Sequence, residues 1–245
     1  MKLTFLGTSG WYDSPAGYTL CTVLETADFY LVLDAGGGFA FLDRCVKPGK
    51  PVYVFISHLH LDHVAGLHTL VKHNLHSVLF LLPDGYREPF AALINSPFTV
   101  PLSKMSYPAS IMESRDFGKL PFKLTGYELD HSDSCWGFRL EHEGRVFSYG
   151  PDTGPCPNLD RLARNADLLL TECAYLPGEE RPEWPHMNPE LAAACARDSG
   201  AKRLILTHFD PVRYPDAATR TVADSAAKAI FANSSVAEDG LAITI

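Results

Sequence analysis

The sequence predicts an α/β fold, because short apolar runs typical of strands alternate with segments that have helical spacing of apolar residues. A second observation is that residues able to bind metals or transfer protons follow the strands directly. The length of 245 residues allows a full core to be buried. We therefore expect a single domain over residues 1–245.

The individual elements follow from apolar alternation, from β-branched and aromatic runs, and from the turn residues between them. Strands are expected over residues 2–6, 19–25, 29–33, 52–56, 77–82, 122–129, 135–141, 145–149, 167–171, 203–207 and 241–245. Helices are expected over residues 39–45, 64–70, 86–93, 158–165, 188–198 and 216–231. The proline-punctuated residues 95–121 are expected to be either a substrate-side loop or a surface connection.

The amino-acid composition limits the kinds of partner that the protein is expected to bind. Lys plus Arg is 21 and Asp plus Glu is 29, so the net charge is −8, which argues against an extended nucleic-acid surface. The six cysteines contain no Cys-x-x-Cys pair, and no apolar run is long enough for a membrane helix. We expect a cytoplasmic protein with no membrane partner, and we leave a homodimer open.

The strongest local signal follows the strand predicted over residues 52–56. His58, His60, Asp62 and His63 lie within six residues, between this strand and the helix predicted over 64–70. Imidazole and carboxylate are the usual ligands of zinc and its neighbours in the transition series. One histidine here would be read as a polar turn residue, but four ligand-type residues together indicate a metal site.

Five further strand ends carry residues of the same kind. In α/β proteins, ligand sites lie at the carboxyl ends of strands, so residues at these ends are expected to meet in a composite site. Any one of them alone would more often be structural. The residues are Asp34, Asp130 with His131, Asp152, Glu172 and His208.

The pattern H-x-H-x-D-H at His58–His63 resembles the signature of the metallo-β-lactamase superfamily. Together with the other motifs it is similar to the ribonuclease Z branch: Asp130-His131-Ser132, Asp152-Thr153, Thr171-Glu172, His186 and Leu206-Thr207-His208. The resemblance implies a four-layer αββα sandwich with two divalent metal ions, zinc in the first place and manganese or iron as alternatives. It implies that one ion is bound by His58, His60 and His131, and that the other is bound by Asp62, His63 and His208. Asp152 would bridge the two ions, and Asp34 would accept a hydrogen bond from a histidine that binds metal.

His186 and Glu172 are the remaining residues with a predicted role. His186 falls where the ribonuclease Z branch has its catalytic histidine, before the Ala-rich helix predicted over 188–198. Glu172 falls where that branch has a carboxylate that pairs with this histidine. Alkoxide departure from phosphorus needs a proton, which a histidine can supply near neutral pH. We predict Asp62, His186 and Glu172 as the catalytic residues, with His186 as general acid.

The sequence also departs from this branch. The tRNA-processing enzymes carry a long arm that grips tRNA, whereas residues 132–151 here hold only short predicted elements. We therefore expect a phosphodiesterase that uses a dinuclear centre and a metal-bound hydroxide on a small or short phosphodiester. The alternatives are a lactone or thioester hydrolase, a tRNA 3′-processing ribonuclease, and a non-catalytic metal-binding regulator.

Overall fold

The structure, a computed structural model, describes residues 1–245, which divide into two compact units. Unit 1 comprises Met1–Thr8, Tyr18–Phe117 and Asp239–Thr244, and unit 2 comprises Ser9–Gly17, Gly118–Glu238 and Ile245. Each unit contains one sheet, so the predicted mixed α/β class is confirmed. The prediction of one domain over 1–245 stays a prediction.

The structure contains thirteen strands, five α-helices and four 3-10 helices. The strands are β1 Lys2–Gly7, β2 Cys21–Glu25, β3 Tyr30–Leu33, β4 Val52–Phe55, β5 Val78–Leu82, β6 Ala109–Glu113, β7 Lys123–Leu129, β8 Cys135–His142, β9 Arg145–Gly150, β10 Leu168–Glu172, β11 Leu204–Thr207, β12 Ser234–Val236 and β13 Ala242–Thr244. The helices are α1 Leu61–Val64, α2 Arg87–Leu93, α3 Pro157–Ala163, α4 Pro189–Asp198 and α5 Ala217–Ile230.

The sheet of unit 1 has the order β13-β1-β2-β3-β4-β5-β6. The pairs from β13 through β3 are antiparallel, and the pairs from β3 through β6 are parallel. Strands β3 and β4 are wholly or almost wholly buried, as their continuous apolar sequences predict. Because β3 and β4 run in the same direction, the residues that follow them lie at the same edge of this sheet.

The sheet of unit 2 has the order β12-β11-β10-β9-β8-β7. Strands β9 to β12 are parallel, while β8 is antiparallel to both β9 and β7. Strand β7 therefore points the same way as β9, β10 and β11. The predicted turn at Glu143 and Gly144 joins β8 to β9, and both residues have positive φ, as a type I′ hairpin turn requires.

Two predicted helices and one predicted connection differ from the structure, and no predicted strand covers β12. The helices expected over 39–45 and 64–70 are 3-10 helices, Gly37–Arg44 and Ala65–Lys72. The connection at 95–121 contains β6, which the sequence did not reveal because Ala109–Glu113 is a partly exposed edge strand without a β-branched run. It also contains two 3-10 helices, Leu102–Lys104 and Ser114–Lys119.

All six cysteines are free thiols, three of them buried, and burial raises the pKa of the Cys21 and Cys173 thiols. No helix of the chain combines the length and the apolar character needed to cross a membrane. His73 is buried edge-on against Phe39.

Helices α4 and α5 begin at side-chain caps. Asn188 accepts a hydrogen bond from the Leu191 backbone N–H at 2.8 Å, and Pro189 occupies the first helical position, as predicted. Asp216 accepts from the Thr219 backbone N–H at 2.8 Å and forms a capping box. The two caps differ in burial, since Asn188 is 2% exposed and its amide also donates to the Glu179 carbonyl at 3.0 Å.

We predict that Asn188→Ala lowers the free energy of unfolding more than Asp216→Ala does. Losing an exposed cap costs about 1 kcal/mol. The Asn188 substitution also removes the donor to the half-buried Glu179 carbonyl, which adds roughly 1 kcal/mol. Urea unfolding of both variants checks this difference, and an equal or smaller loss for Asn188→Ala would contradict it.

Candidate metal centre

The unit 1 ligand set, defined as His58, His60, Asp62 and His63, lies where β4 ends and α1 begins. His58 and His63 are fully buried. The imidazole centroid of His58 lies 4.5 Å from that of His60 and 4.2 Å from that of His63. The Nε2 atom of His63 lies 3.6 Å from Asp62 Oδ2. The turn after β4 therefore gathers three imidazoles and one carboxylate.

Asp34, at the end of β3, organises this set from behind. Its carboxylate is fully buried and accepts hydrogen bonds from the Ser57 backbone N–H at 2.8 Å and from Ser57 Oγ at 2.9 Å. The Nδ1 atom of His63 lies 2.9 Å from Asp34 Oδ2. When the imidazole donates a hydrogen bond through Nδ1, the lone pair of Nε2 is available to bind a metal ion. Histidines that bind metals usually donate their other ring N–H to a carboxylate in this way.

The unit 2 ligand set, defined as His131, Asp152 and His208, lies at the carboxyl ends of β7, β9 and β11. Asp152 Oδ1 lies 3.1 Å from His208 Nε2, and Asp152 Oδ2 lies 4.0 Å from His131 Nε2. The side chains of these three residues are at most 5% exposed. Each carboxylate oxygen of Asp152 thus faces a different imidazole, as expected of a carboxylate shared by two ions.

Backbone conformation is unusual at two of these strand ends. Asp34 and His208 both have left-handed φ values, 55° and 54°, which are uncommon for residues other than glycine. Gly10 lies directly against the His208 ring, and a Cβ atom at this position would come within 2.5 Å of its Cε1. Only glycine fits there, which explains part of the glycine-rich turn that follows β1.

His186 and Glu172 form a buried pair in unit 2. The His186 Nδ1 atom lies 2.6 Å from Glu172 Oε1. Glu172 is fully buried, and its two oxygens accept backbone hydrogen bonds from Thr153 at 2.7 Å and Ala174 at 3.1 Å. The carboxylate is fixed by the backbone on both sides, so it holds the imidazole in one orientation.

His186 lies close to the unit 2 ligand set. Its ring centroid is 5.3 Å from that of His131, and it stacks on His208 at 6.2 Å with an interplanar angle of 16°. Donor atoms of His131, Asp152 and His186 all lie within 4.8 Å of one another. The geometry suits either a proton donor beside a metal or a further ligand, and its role as general acid stays a prediction.

The predicted site residues therefore form two clusters, one in each unit. His58, His60, Asp62, His63 and Asp34 meet in unit 1, and His131, Asp152, His208, Glu172 and His186 meet in unit 2. Sequence reasoning missed Ser57, whose Oγ contacts both Asp34 and His58 Nδ1, the latter at 3.0 Å. Its position directly before His58 was the available signal.

The donor chemistry of both sets fits divalent transition metals. Imidazole nitrogens with carboxylate oxygens suit zinc, iron and manganese, and no thiolate is included that would select a softer ion. In unit 1 the buried His58 ring contacts the rings of both His60 and His63. Neutral rings are the form in which histidine binds a metal.

Comparison with known proteins places this geometry in a family. Residues 30–209 match the family described as the beta-lactamase superfamily domain. Ribonuclease Z of Ligilactobacillus salivarius is 25% identical, over 98% of this chain and 95% of that protein.

Two solved structures are similar over nearly their whole length. The metallo-β-lactamase fold protein YhfI of Bacillus subtilis has a TM-score of 0.80 at 22% identity, covering 99% of this chain and 98% of that one. The short form of human tRNase Z has a TM-score of 0.76 at 24% identity, covering 100% and 99%. The chain therefore has the predicted metallo-β-lactamase fold and belongs to the metallo-β-lactamase superfamily, in its ribonuclease Z-like branch.

Proposed function

We propose that the chain is a dinuclear metal-dependent phosphodiesterase that acts on small or short phosphodiesters. Family membership supports a metal-dependent hydrolase. The observation that carries the dinuclear proposal is Asp152, whose two buried carboxylate oxygens face the Nε2 atoms of His131 and His208. A carboxylate in this position can bridge two ions.

The proposed ligand assignment uses both sets. His58, His60 and His131 hold one ion, Asp62, His63 and His208 hold the other, and Asp152 is shared. When bound, two such ions would act as Lewis acids at the phosphoryl group and lower the pKa of a bound water from about 15.7 to near 7. Zinc is the proposed ion, and manganese or iron would suit the same donors.

The residues of the chain perform the remaining tasks. Asp34 fixes the tautomer of His63 through its Nδ1 atom, and Glu172 does the same for His186. Because Nδ1 of His186 faces Glu172, the transferable proton is on Nε2. Donation from Nε2 to the departing ester oxygen neutralises the alkoxide as the P–O bond breaks.

The substrate class rests on the similar proteins and on the shape of unit 2. Ribonuclease Z and tRNase Z are named as enzymes of RNA, whose linkages are phosphodiesters. In this chain β8 and β9 are joined by the two residues Glu143 and Gly144, which leaves no arm at this position. The net charge of −8 also disfavours a large nucleic acid. Small diesters are therefore the proposed substrates.

A substrate panel tests the proposal directly. We expect the metal-loaded protein to hydrolyse bis(p-nitrophenyl) phosphate and at least one small natural diester, with slow turnover of a lactone, a thioester and a precursor tRNA. Fast lactone or thioester cleavage without diesterase activity would assign the site to carboxylic ester chemistry. Efficient 3′ cleavage of the precursor tRNA would assign it to tRNA processing. A protein that binds metal but turns over nothing would be a regulator.

We predict that His186→Ala retains both ions and lowers turnover of an alkyl-leaving diester by about 10²–10⁴-fold, the usual worth of a general acid. The loss should be much smaller with p-nitrophenolate as leaving group, because this anion needs little protonation. Metal analysis and the two rates check the prediction. Glu172→Gln serves as the matched variant, since it keeps the shape but removes the charge behind Nδ1.

Two results would contradict the role of His186. Loss of an ion in His186→Ala would make His186 a metal ligand, which its distance from His131 and Asp152 also permits. Equal losses with both leaving groups would show that it acts in substrate binding or in positioning.

A further inference from the structure

A cavity of about 340 Å³ lies beside His186 within unit 2. Its apolar walls are Trp11, Tyr175, Trp184 and Val212, and Arg181, Asp210 and Arg213 line its polar side. The ring centroid of His186 lies 5.6 Å from that of Tyr175 and 6.5 Å from that of Trp184. The proposed proton donor is therefore part of the cavity wall.

The apolar walls are exposed to an unusual degree. Trp11 is 57% exposed, Trp184 is 42% exposed and Val212 is 72% exposed. Tryptophan is normally well buried on average, and a group of large exposed apolar side chains around a concave site marks a binding surface. Aromatic side chains that leave their faces open are the usual partners of planar ring systems.

Trp11 is held in place although it is exposed. Its φ of 63° is left-handed, which is rare for a bulky residue. Such strained backbone conformations cluster at active sites and ligand-binding sites. The buried Arg220 anchors this loop by donating from Nη2 to Ser9 Oγ at 3.0 Å and to the Ala16 carbonyl at 3.3 Å. The Gly10 backbone N–H donates to the Phe209 carbonyl at 2.9 Å.

The charged side chains on the polar side of the cavity form ion pairs with one another. Arg213 donates two hydrogen bonds to Glu179, at 2.7 and 2.6 Å, and a third to Asp210. The hydrogen bonds from Arg213 hold the pKa of Glu179 at about 2, so this carboxylate is charged at neutral pH. Arg181 also donates to Glu179, at 3.0 Å. Two arginines thus face two carboxylates, and their charges balance. This wall of the cavity therefore favours neither an anionic nor a cationic ligand.

We propose that this cavity is the subsite for the leaving group of the substrate, and that it binds a neutral planar aromatic ring, for which a nucleobase is the biological example. The placement rests on the proposed function, because a proton donor must lie beside the oxygen that departs. In the reaction, water oxygen bonds to phosphorus as the water releases one proton to the solvent, the ester P–O bond breaks, and the proton of His186 Nε2 goes to the departing oxygen; His186 then regains a proton from the solvent. The products are a phosphate monoester and an alcohol that carries the ring.

Binding can be tested without catalysis, because Trp11 and Trp184 are two of the three tryptophans. Adenosine should quench the tryptophan fluorescence of the metal-loaded protein in a saturable titration, and ribose should not. Trp11→Leu and Trp184→Leu should each weaken adenosine binding roughly 5- to 150-fold, which corresponds to the 1–3 kcal/mol of one stacked base. Trp136→Phe is the matched control, because Trp136 lies on β8 outside the cavity. This variant should bind adenosine as tightly as the unchanged protein does.

The placement at the leaving group is tested by kinetics. Trp184→Leu should raise KM for methyl p-nitrophenyl phosphate by the same factor and leave KM for methyl trifluoroethyl phosphate within about twofold, because only the first has an aromatic leaving group. Equal effects on both diesters, with melting temperatures unchanged, would overturn the placement.

Activity on bis(p-nitrophenyl) phosphate, measured in the same preparations, separates this proposal from the proposed function. Diesterase activity with no difference between adenosine and ribose would overturn the cavity proposal and leave the proposed function intact. Adenosine binding that depends on Trp11 and Trp184, in a protein without diesterase activity, would overturn the assignment to a leaving group.

Discussion

The site depends on carboxylates that are buried at the ends of strands and must be satisfied there. Removing a carboxylate from water costs several kcal/mol unless donors and opposite charge replace the lost hydration. Asp34 and Glu172 are both fully buried, and each meets this requirement in the same way. At least one backbone N–H donates to each carboxylate, and one imidazole contacts it through Nδ1. The consequence is that both His63 and His186 have a fixed ring orientation and a defined free nitrogen.

The sheet topology explains why these residues meet within each unit. In unit 2, β7, β9, β10 and β11 all point the same way, so the residues after them share one edge. The chain then has to turn away sharply, which is reflected in the left-handed φ of His208. Gly10 supplies the space that the His208 ring needs. Asp152 follows β9, which lies between β7 and β11 in the sheet order, so its carboxylate lies between the imidazoles of His131 and His208.

Much of this was accessible from the sequence, because the relevant signals are local. Apolar runs predicted the strands, and the ligand-type residues that follow six of them, four after one run and one or two after each of the others, predicted which side chains lie at the strand ends. The N-cap of α4 and the hairpin turn at Glu143 and Gly144 were read from short motifs and were confirmed. The ligand assignment itself and the shared role of Asp152 stay predictions.

What the sequence could not reveal depends on contacts between distant residues or on weak local preference. Strand β6 has little intrinsic strand character and forms because β5 offers an edge for parallel pairing. The 3-10 helices replace the predicted α-helices because the segments are short and are stabilised by packing rather than by propensity. The cavity beside His186 combines Trp11 with residues 174–213, and no spacing rule connects them.

The central claim is that one carboxylate, Asp152, is shared by two ions held by imidazoles. The most direct measurement is a crystal structure of the zinc-loaded protein with anomalous scattering recorded on both sides of the zinc edge. We predict two anomalous peaks roughly 3.5–4 Å apart, with Asp152 bound to both and His186 bound to neither. A single peak after full reconstitution, or two peaks without Asp152 between them, would contradict this account.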